Sequence, residues 1–229
     1  MLSARKVFIT LLVCIAALVA MQAVVVFDRL NHDASVNWTL YQLFNFDEES
    51  SVPVWFSAIA LVACAALLAV IARDGFTRQD KAARYWALLG FIFLFLSFDE
   101  AAAIHEQLIP LGRRLVPAGG AFYFAWIIPY GVALAVLLVV LVPFLRALPR
   151  QSMWLFMFSG ALYVGGAIGL EMVGGAVISA AGIGGSLTAY HLVATAEETL
   201  EMLGIATFIY ALIRYMAEQN IGVNLTFGR

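Results

Sequence analysis

The sequence predicts an all-α polytopic membrane protein: six transmembrane helices in one bundle, with both termini cytoplasmic. Three observations carry this prediction. The 229-residue chain is 63% hydrophobic and only 12% charged, and its mean hydropathy of +0.93 lies far outside the range of soluble domains. Six apolar runs each reach the roughly 20 residues that a helix needs to cross a bilayer. The segments between them are too short for a soluble domain, so residues 1–229 read as a single transmembrane unit.

The first run, Val7–Phe27, follows Arg5 and Lys6 as a signal peptide would. It is too long for that and is followed by five more spans, so it reads as a retained helix. The segment after it, residues 28–52, carries Trp38, Tyr41, Phe44 and Phe46 among polar residues, which suits a helical or strand-like piece at the membrane interface. His32 there reads as a solvated loop residue. Asp47, Glu48 and Glu49 ahead of Pro53 mark a helix start, because acids suit a helix N-terminus and proline its first turn. The second span is Pro53–Ala72 and the third Trp86–Leu108. The fourth, Phe122–Leu145, has Pro129 and Pro143 as candidate kinks. The fifth, Met153–Ala181, is glycine-rich, and its Gly165-xxx-Gly169 spacing invites close approach of a neighbouring helix. The sixth is Ala189–Tyr215.

Arg5, Lys6, Arg73, Arg78, Lys81, Arg84, Arg146, Arg150 and Arg214 fall on one side of this topology, which the positive-inside rule assigns to the cytoplasm. Arg29, Arg113 and Arg114 fall on the other. Cys14 and Cys64 lie within spans and have no CxxC partner, so no disulfide framework or thiolate zinc site is indicated. Without a basic tract, nucleic acid is not an expected partner; the bilayer is, with homo-oligomerisation left open.

Acids and histidines inside apolar spans are costly and read as functional. Asp99, Glu100, His105 and Glu106 lie on the third span, Glu171 on the fifth, and His191, Glu197, Glu198 and Glu201 on the sixth. Asp99, Glu100, Glu171, Glu197 and Glu198 all fall about 10 residues, or about 15 Å, from the outer ends of their spans. On a continuous third helix Asp99 and Glu106 lie within about 20° of each other, and His191, Glu198 and Met202 form a stripe on the sixth. Glu100 and Glu197 point elsewhere in this construction and stand behind the others.

So many carboxylates would repel one another unless cations or protons offset them. The set Asp99, His105, Glu171, His191, Glu198 and Glu201 matches the ligand inventory of metal sites in helical bundles, including dinuclear ones, for zinc, iron or manganese. Adjacent His105-Glu106 and Glu198-x-x-Glu201 depart from the Glu-x-x-His spacing of soluble di-iron bundles. Glu106 is the candidate general base beside a metal-bound water.

Three segments together, Asp47-Glu48-Glu49-(x)3-Pro53-Val54-Trp55-Phe56-Ser57, Leu96-Ser97-Phe98-Asp99-Glu100-(x)4-His105-Glu106 and Glu197-Glu198-(x)2-Glu201-Met202-x-Gly204, resemble a family of six-span bacterial membrane proteins of uncharacterised function. The resemblance implies a bacterial inner-membrane protein and adds Glu49, Trp55 and Ser57 as candidates at the outer mouth of the site.

The first functional expectation is a metal-dependent membrane enzyme with its site in the outer half of the bundle, acting on a lipid or other membrane-borne substrate. The alternatives are a cation- or proton-coupled transporter built from inverted halves of three spans each, an accessory subunit of a membrane complex, and a haem protein using His105 and His191, which would leave the acids unexplained.

Overall fold

The computed structural model describes residues 3–31, 37–116, 119–181 and 187–222; His32 lies outside the described residues. In chain order the helices are α1 (Ala4–Asn31), α2 (Trp38–Phe44), α3 (Val52–Thr77), α4 (Ala83–Ala102), α5 (Ile109–Leu115), α6 (Ile127–Ala147), α7 (Arg150–Val164), α8 (Glu171–Ala181) and α9 (Leu187–Glu218). A π-helical turn, Gly165–Leu170, joins α7 to α8, and 3-10 turns occupy His105–Leu108 and Gly120–Phe122. Six helical stretches are long and apolar enough to cross a membrane: α1, α3, α4, α6, the continuous α7–α8 unit and α9. No strand occurs among the described residues.

Local chemistry sets where these helices begin and end. The Ser51 hydroxyl accepts from the Val54 N–H at 3.5 Å, and Pro53 sits in the first turn of α3, where its missing N–H leaves nothing unsatisfied. Asn37 caps α2 through its side-chain oxygen, which accepts from Leu40 N–H at 3.2 Å. Pro129 likewise falls in the first turn of α6, which starts at Ile127 rather than Phe122, so of the two candidate kinks only Pro143 lies in the helix interior.

The third span ends earlier than expected. Ala103 takes a left-handed conformation with φ of 46°, its N–H and that of Ile104 both donate to the Asp99 carbonyl, and the helix stops at Ala102. His105 and Glu106 therefore belong to a separate turn, and the single helical face expected to carry Asp99 and Glu106 does not exist.

Helix α9 runs through the middle of the bundle against α1, α3, α7, the π turn and α8, while α3 and α4 pair closely along their lengths. Near the end that carries Arg73, Arg84 and Arg146, Trp86 is fully buried, with ring centroids 4.8 Å from Phe144, 4.8 Å from Tyr215 and 5.8 Å from Phe156. Leu61, Leu68, Ile205 and Leu212 extend this core between α3 and α9. Towards the opposite end, which carries α2, the core turns polar. The buried Gln22 of α1 donates to Thr195 Oγ1 at 3.0 Å and accepts from Phe46 N–H at 3.2 Å, tying α1 to α9 and to the segment leading into α3.

Because lipid tails are as apolar as leucine, helices in a bilayer are held by close packing rather than by hydrophobic burial. The glycines that provide it here are not Gly165 and Gly169, whose surroundings are open. They are Gly166 and Gly204: a Cβ at Gly166 would stand 2.7 Å from the Glu197 carbonyl oxygen, and one at Gly204 would stand 2.7 Å from Tyr163 N. Both obstacles are backbone. Gly204→Ala should therefore separate α7 from α9 and lower stability by roughly 1–3 kcal/mol, whereas Gly169→Ala should be neutral or mildly stabilising; thermal unfolding of the two variants in detergent measures the contrast.

Candidate functional site

The helix ends around α2 enclose one cavity of about 880 Å³. Asp47, Glu48 and Glu49 roof it ahead of α3, Asp99 and Glu100 enter from α4, His105 and Glu106 from the following turn, Glu171 from α8, and Glu197, Glu198 and Glu201 from α9. Ten of the chain's 15 acidic residues thus line one space, and no lysine or arginine does.

Two pairings organise the wall. The His105 N–H donates to Asp99 Oδ1 at 2.6 Å, and its ring Nδ1 lies 3.4 Å from the same oxygen, so the helix break at Ala103 folds the imidazole back onto the acid that precedes it. Burial pulls the His105 pKa down, but the hydrogen bond and charge of Asp99, reinforced by Glu49 and Glu100, outweigh it and raise the pKa above the ordinary histidine value. On the facing wall Trp126 Nε1 donates to Glu171 Oε1 at 3.0 Å, and the Glu171 and Glu197 side chains lie within hydrogen-bonding reach of each other. Two carboxyl groups that close require a shared proton or a cation.

Aromatic side chains fill the space between the pairs. The Trp126 ring centroid lies 4.8 Å from that of His105 and 5.2 Å from that of Tyr130. The Tyr130 hydroxyl faces Asp99 without reaching hydrogen-bond geometry, and the Tyr190 hydroxyl donates to Asp47 Oδ1 at 2.6 Å. Tyr163 lies among Glu201, Glu100, Asp99 and Glu198. Glu201 is 8% exposed with its chain pressed against Gly166, and Glu198 has a buried Oε2 with no hydrogen-bond partner.

Of the six residues expected to ligate metal, Asp99, His105, Glu171, Glu198 and Glu201 line the cavity, and His191 does not. His191 is 5% exposed, neither ring nitrogen has a partner, and it turns to the side of α9 where Asp47 and Arg29 act on it. Glu100 and Glu197, expected to point elsewhere, line the cavity beside Glu49 and Glu106. Trp55 is 72% exposed, and Ser57 is buried outside the lining. Trp126 and Tyr190 were not legible as site residues, since an aromatic near a span end reads first as an interface anchor; Tyr163, in the middle of the fifth crossing, reads first as a packing residue.

Among the described residues no three His, Cys, Asp or Glu side chains come together closely enough to hold a metal ion between them. The acids are arranged as pairs, not as the four- to six-ligand set expected from their depths. The depths alone do not fix which way each side chain turns, and the break at Ala103 re-aims His105 and Glu106.

The Asp99–His105 pair gives a signed pH dependence. A histidine whose folded pKa is raised adds stability that is fully present below its unfolded pKa of about 6.5 and is lost as pH rises through the higher folded value. Asp99→Asn should lower the His105 pKa and flatten that loss; histidine-labelled NMR of a chain with only three histidines follows it directly.

No curated protein and no solved structure matches the chain. A family model described as a domain of unknown function, DUF8692, matches residues 7–215. That match takes in all or nearly all of each of the six membrane-crossing stretches and every acid of the cavity, and the chain belongs to this family.

Proposed function

We propose that the protein is an integral membrane enzyme acting on a lipid-type, membrane-borne substrate, with a divalent cation held at the carboxylate chamber when the substrate binds. The observation that supports it is the lining: ten acids with no lysine or arginine, in a cavity that continues into an apolar part of the bundle. Charges of one sign at bilayer depth are poorly screened. Cations are the counter-charge that the lining itself lacks in lysine and arginine.

The donor set favours a hard ion. Zinc asks for three or four protein ligands, whereas magnesium is commonly held by one or two carboxylates, with waters and substrate oxygens completing the shell. Glu171 and Glu197, fixed on one side by Trp126, supply such a pair. Such an ion would polarise a substrate oxygen or activate water. The chain's own contribution is to orient Glu171 through the indole, and to hold and move a proton at the His105 imidazole, which Asp99 fixes in place. This makes His105 a better-placed base than Glu106, which is exposed at the cavity mouth. The basic loops lie at the far end of the bundle, so the chamber would open towards the periplasm of a bacterial inner membrane.

The coupled-carrier reading has one observation of its own: the π turn directly before Glu171, an irregularity found mostly at functional sites in helices. Manganese titration followed by electron paramagnetic resonance distinguishes the two. Wild type should bind manganese, and Glu171→Gln with Glu197→Gln should weaken binding beyond the 10- to 100-fold typical of groups that merely orient a ligand. A wild type that binds neither manganese nor magnesium, together with pH-driven flux in proteoliposomes that Glu171→Gln abolishes, would put the carrier in place of the enzyme.

A further inference from the structure

Resting on the reading of the chamber as the site of a membrane-borne substrate, though not on its metal, we infer that this substrate is a single-chain amphiphilic amine. Its protonated, N–H-bearing head meets Glu198 and Glu201, and its tail lies in an apolar furrow that leads away from them.

The head group follows from what the innermost acids lack. Glu201 is 8% exposed and lines the cavity, yet no donor reaches its carboxylate among the described hydrogen bonds. Glu198, one turn earlier on α9, lines the cavity too and keeps a buried Oε2 without a partner. Carboxylate oxygens only accept, so a donor is what this part of the wall is missing. None of the lining residues is a lysine or arginine, so a positively charged donor has to arrive with the ligand. Among the described residues no three acids or histidines converge on one point. An ammonium suits that spread, because it needs one carboxylate in contact and gains from the others at longer range. A quaternary nitrogen has no N–H and would leave the same oxygens unpartnered.

The cavity does not end at the carboxylates. Beyond Tyr130 and Glu100 it continues between α4, α6 and α7 past Phe93, Leu134 and Leu137 to Leu141 and Phe144. Among the described residues α6 pairs closely with neither α4 nor α7, and the gap between them is the furrow. Phe95 and Leu138 line it while 41% and 48% exposed, so it is open sideways to the bilayer. From Tyr130 to Phe144 the helix rises about 21 Å, more than half of a hydrocarbon layer about 30 Å thick. No water is available at that depth to solvate an open groove, so hydrocarbon fills it. A volume of about 880 Å³ for head and tail together falls among sites that take one small molecule, which favours one chain over two. The furrow walls are no more apolar than the lipid a tail leaves, so the furrow selects by length and shape while affinity comes from the head group.

The full chain in nonionic detergent is titrated by native mass spectrometry with hexadecylammonium, hexadecyltrimethylammonium, hexadecyl phosphate and butylammonium, and manganese binding is followed separately by electron paramagnetic resonance. Hexadecylammonium should bind without manganese and more tightly than the trimethyl or phosphate probe. Glu198→Gln with Glu201→Gln should weaken it roughly tenfold or more, the worth of a hydrogen bond to a charged group. Gly160 lies on the furrow wall, and a Cβ built there meets nothing within 4 Å, so a large side chain can enter the furrow from this position. Gly160→Trp should weaken hexadecylammonium by a similar factor and leave butylammonium binding unchanged. Gly131→Trp, on α6 outside the lining and equally open, should bind both as wild type does. If Gly160→Trp does not fold, Ala133→Trp fills the furrow from the opposite wall. Equal or tighter binding of the trimethyl probe overturns the N–H-bearing head, and equal or tighter binding of hexadecyl phosphate overturns the cationic one. Undiminished hexadecylammonium binding in the double glutamine variant overturns its place at these acids, and in a folded furrow variant overturns the furrow. Hexadecylammonium binding to a chain that binds no manganese leaves this site standing and removes the metal; manganese binding without hexadecylammonium binding keeps the metal and removes the amine.

Discussion

At the crossing of α9 with the α7–α8 helix, Gly166 and Gly204 bring two backbones so close that a single methyl group on either would strike the other helix. The positions of Glu171, Glu197 and Glu201 are set beside that contact. Glu201 lies directly over Gly166, Glu197 presents its carbonyl to the same glycine, and Glu171 begins α8 immediately after the π turn that contains it. A bilayer offers no general force to squeeze helices together. Close backbone packing is what can hold charged side chains within reach of one another, and here the close crossing of α9 on the α7–α8 helix lies beside the densest charge of the bundle.

The cost of this arrangement is electrostatic. Burying carboxylates without partners is expensive, and removing the partner of a buried charge is worse than never having buried it. The wall meets part of the demand locally: indole to Glu171, main-chain N–H and imidazole to Asp99, phenol to Asp47. Glu198 and Glu201 receive no comparable donor among the described hydrogen bonds, and both sit where acids from α4 and α8 converge on them. The centre of the chamber is therefore the most demanding point in the molecule.

Much of the architecture was legible in the sequence because the bilayer reduces the problem to counting apolar runs, and those runs recur as the crossing helices, with ends displaced by a few residues. The site was legible in depth and only partly in direction. Ala101-Ala102-Ala103-Ile104 reads as uninterrupted helix; nothing in its composition announces the left-handed residue at Ala103, which forms because Asp99 can gather the His105 N–H beyond the break. Azimuths counted through that point inevitably misplace Glu106. Glu100 and Glu197 read as pointing elsewhere because each lies about 100° around its helix from Asp99 or Glu198, yet the cavity is wide enough to take both neighbours of each pair. Gly165-xxx-Gly169 looked like the contact because the motif is familiar, yet Gly166, one residue on, makes it.

That π turn also divides one membrane-crossing helix into two phases. A wide turn accommodates an extra residue, and each residue corresponds to about 100° of rotation. In α7, Phe156 and Ser159 pack inward in the register of the apolar core, while beyond the turn Glu171, Gly174 and Gly175 face inward in a register of their own. Straightening the turn into an ordinary helix at the same residue count would swing Glu171 by about 100° away from the chamber, whereas deleting one residue between Gly165 and Leu170 would remove the wide turn and keep Glu171 facing inward. The fifth crossing thus carries two reading frames in one rod, one frame for packing and one for charge, and the turn is the punctuation between them.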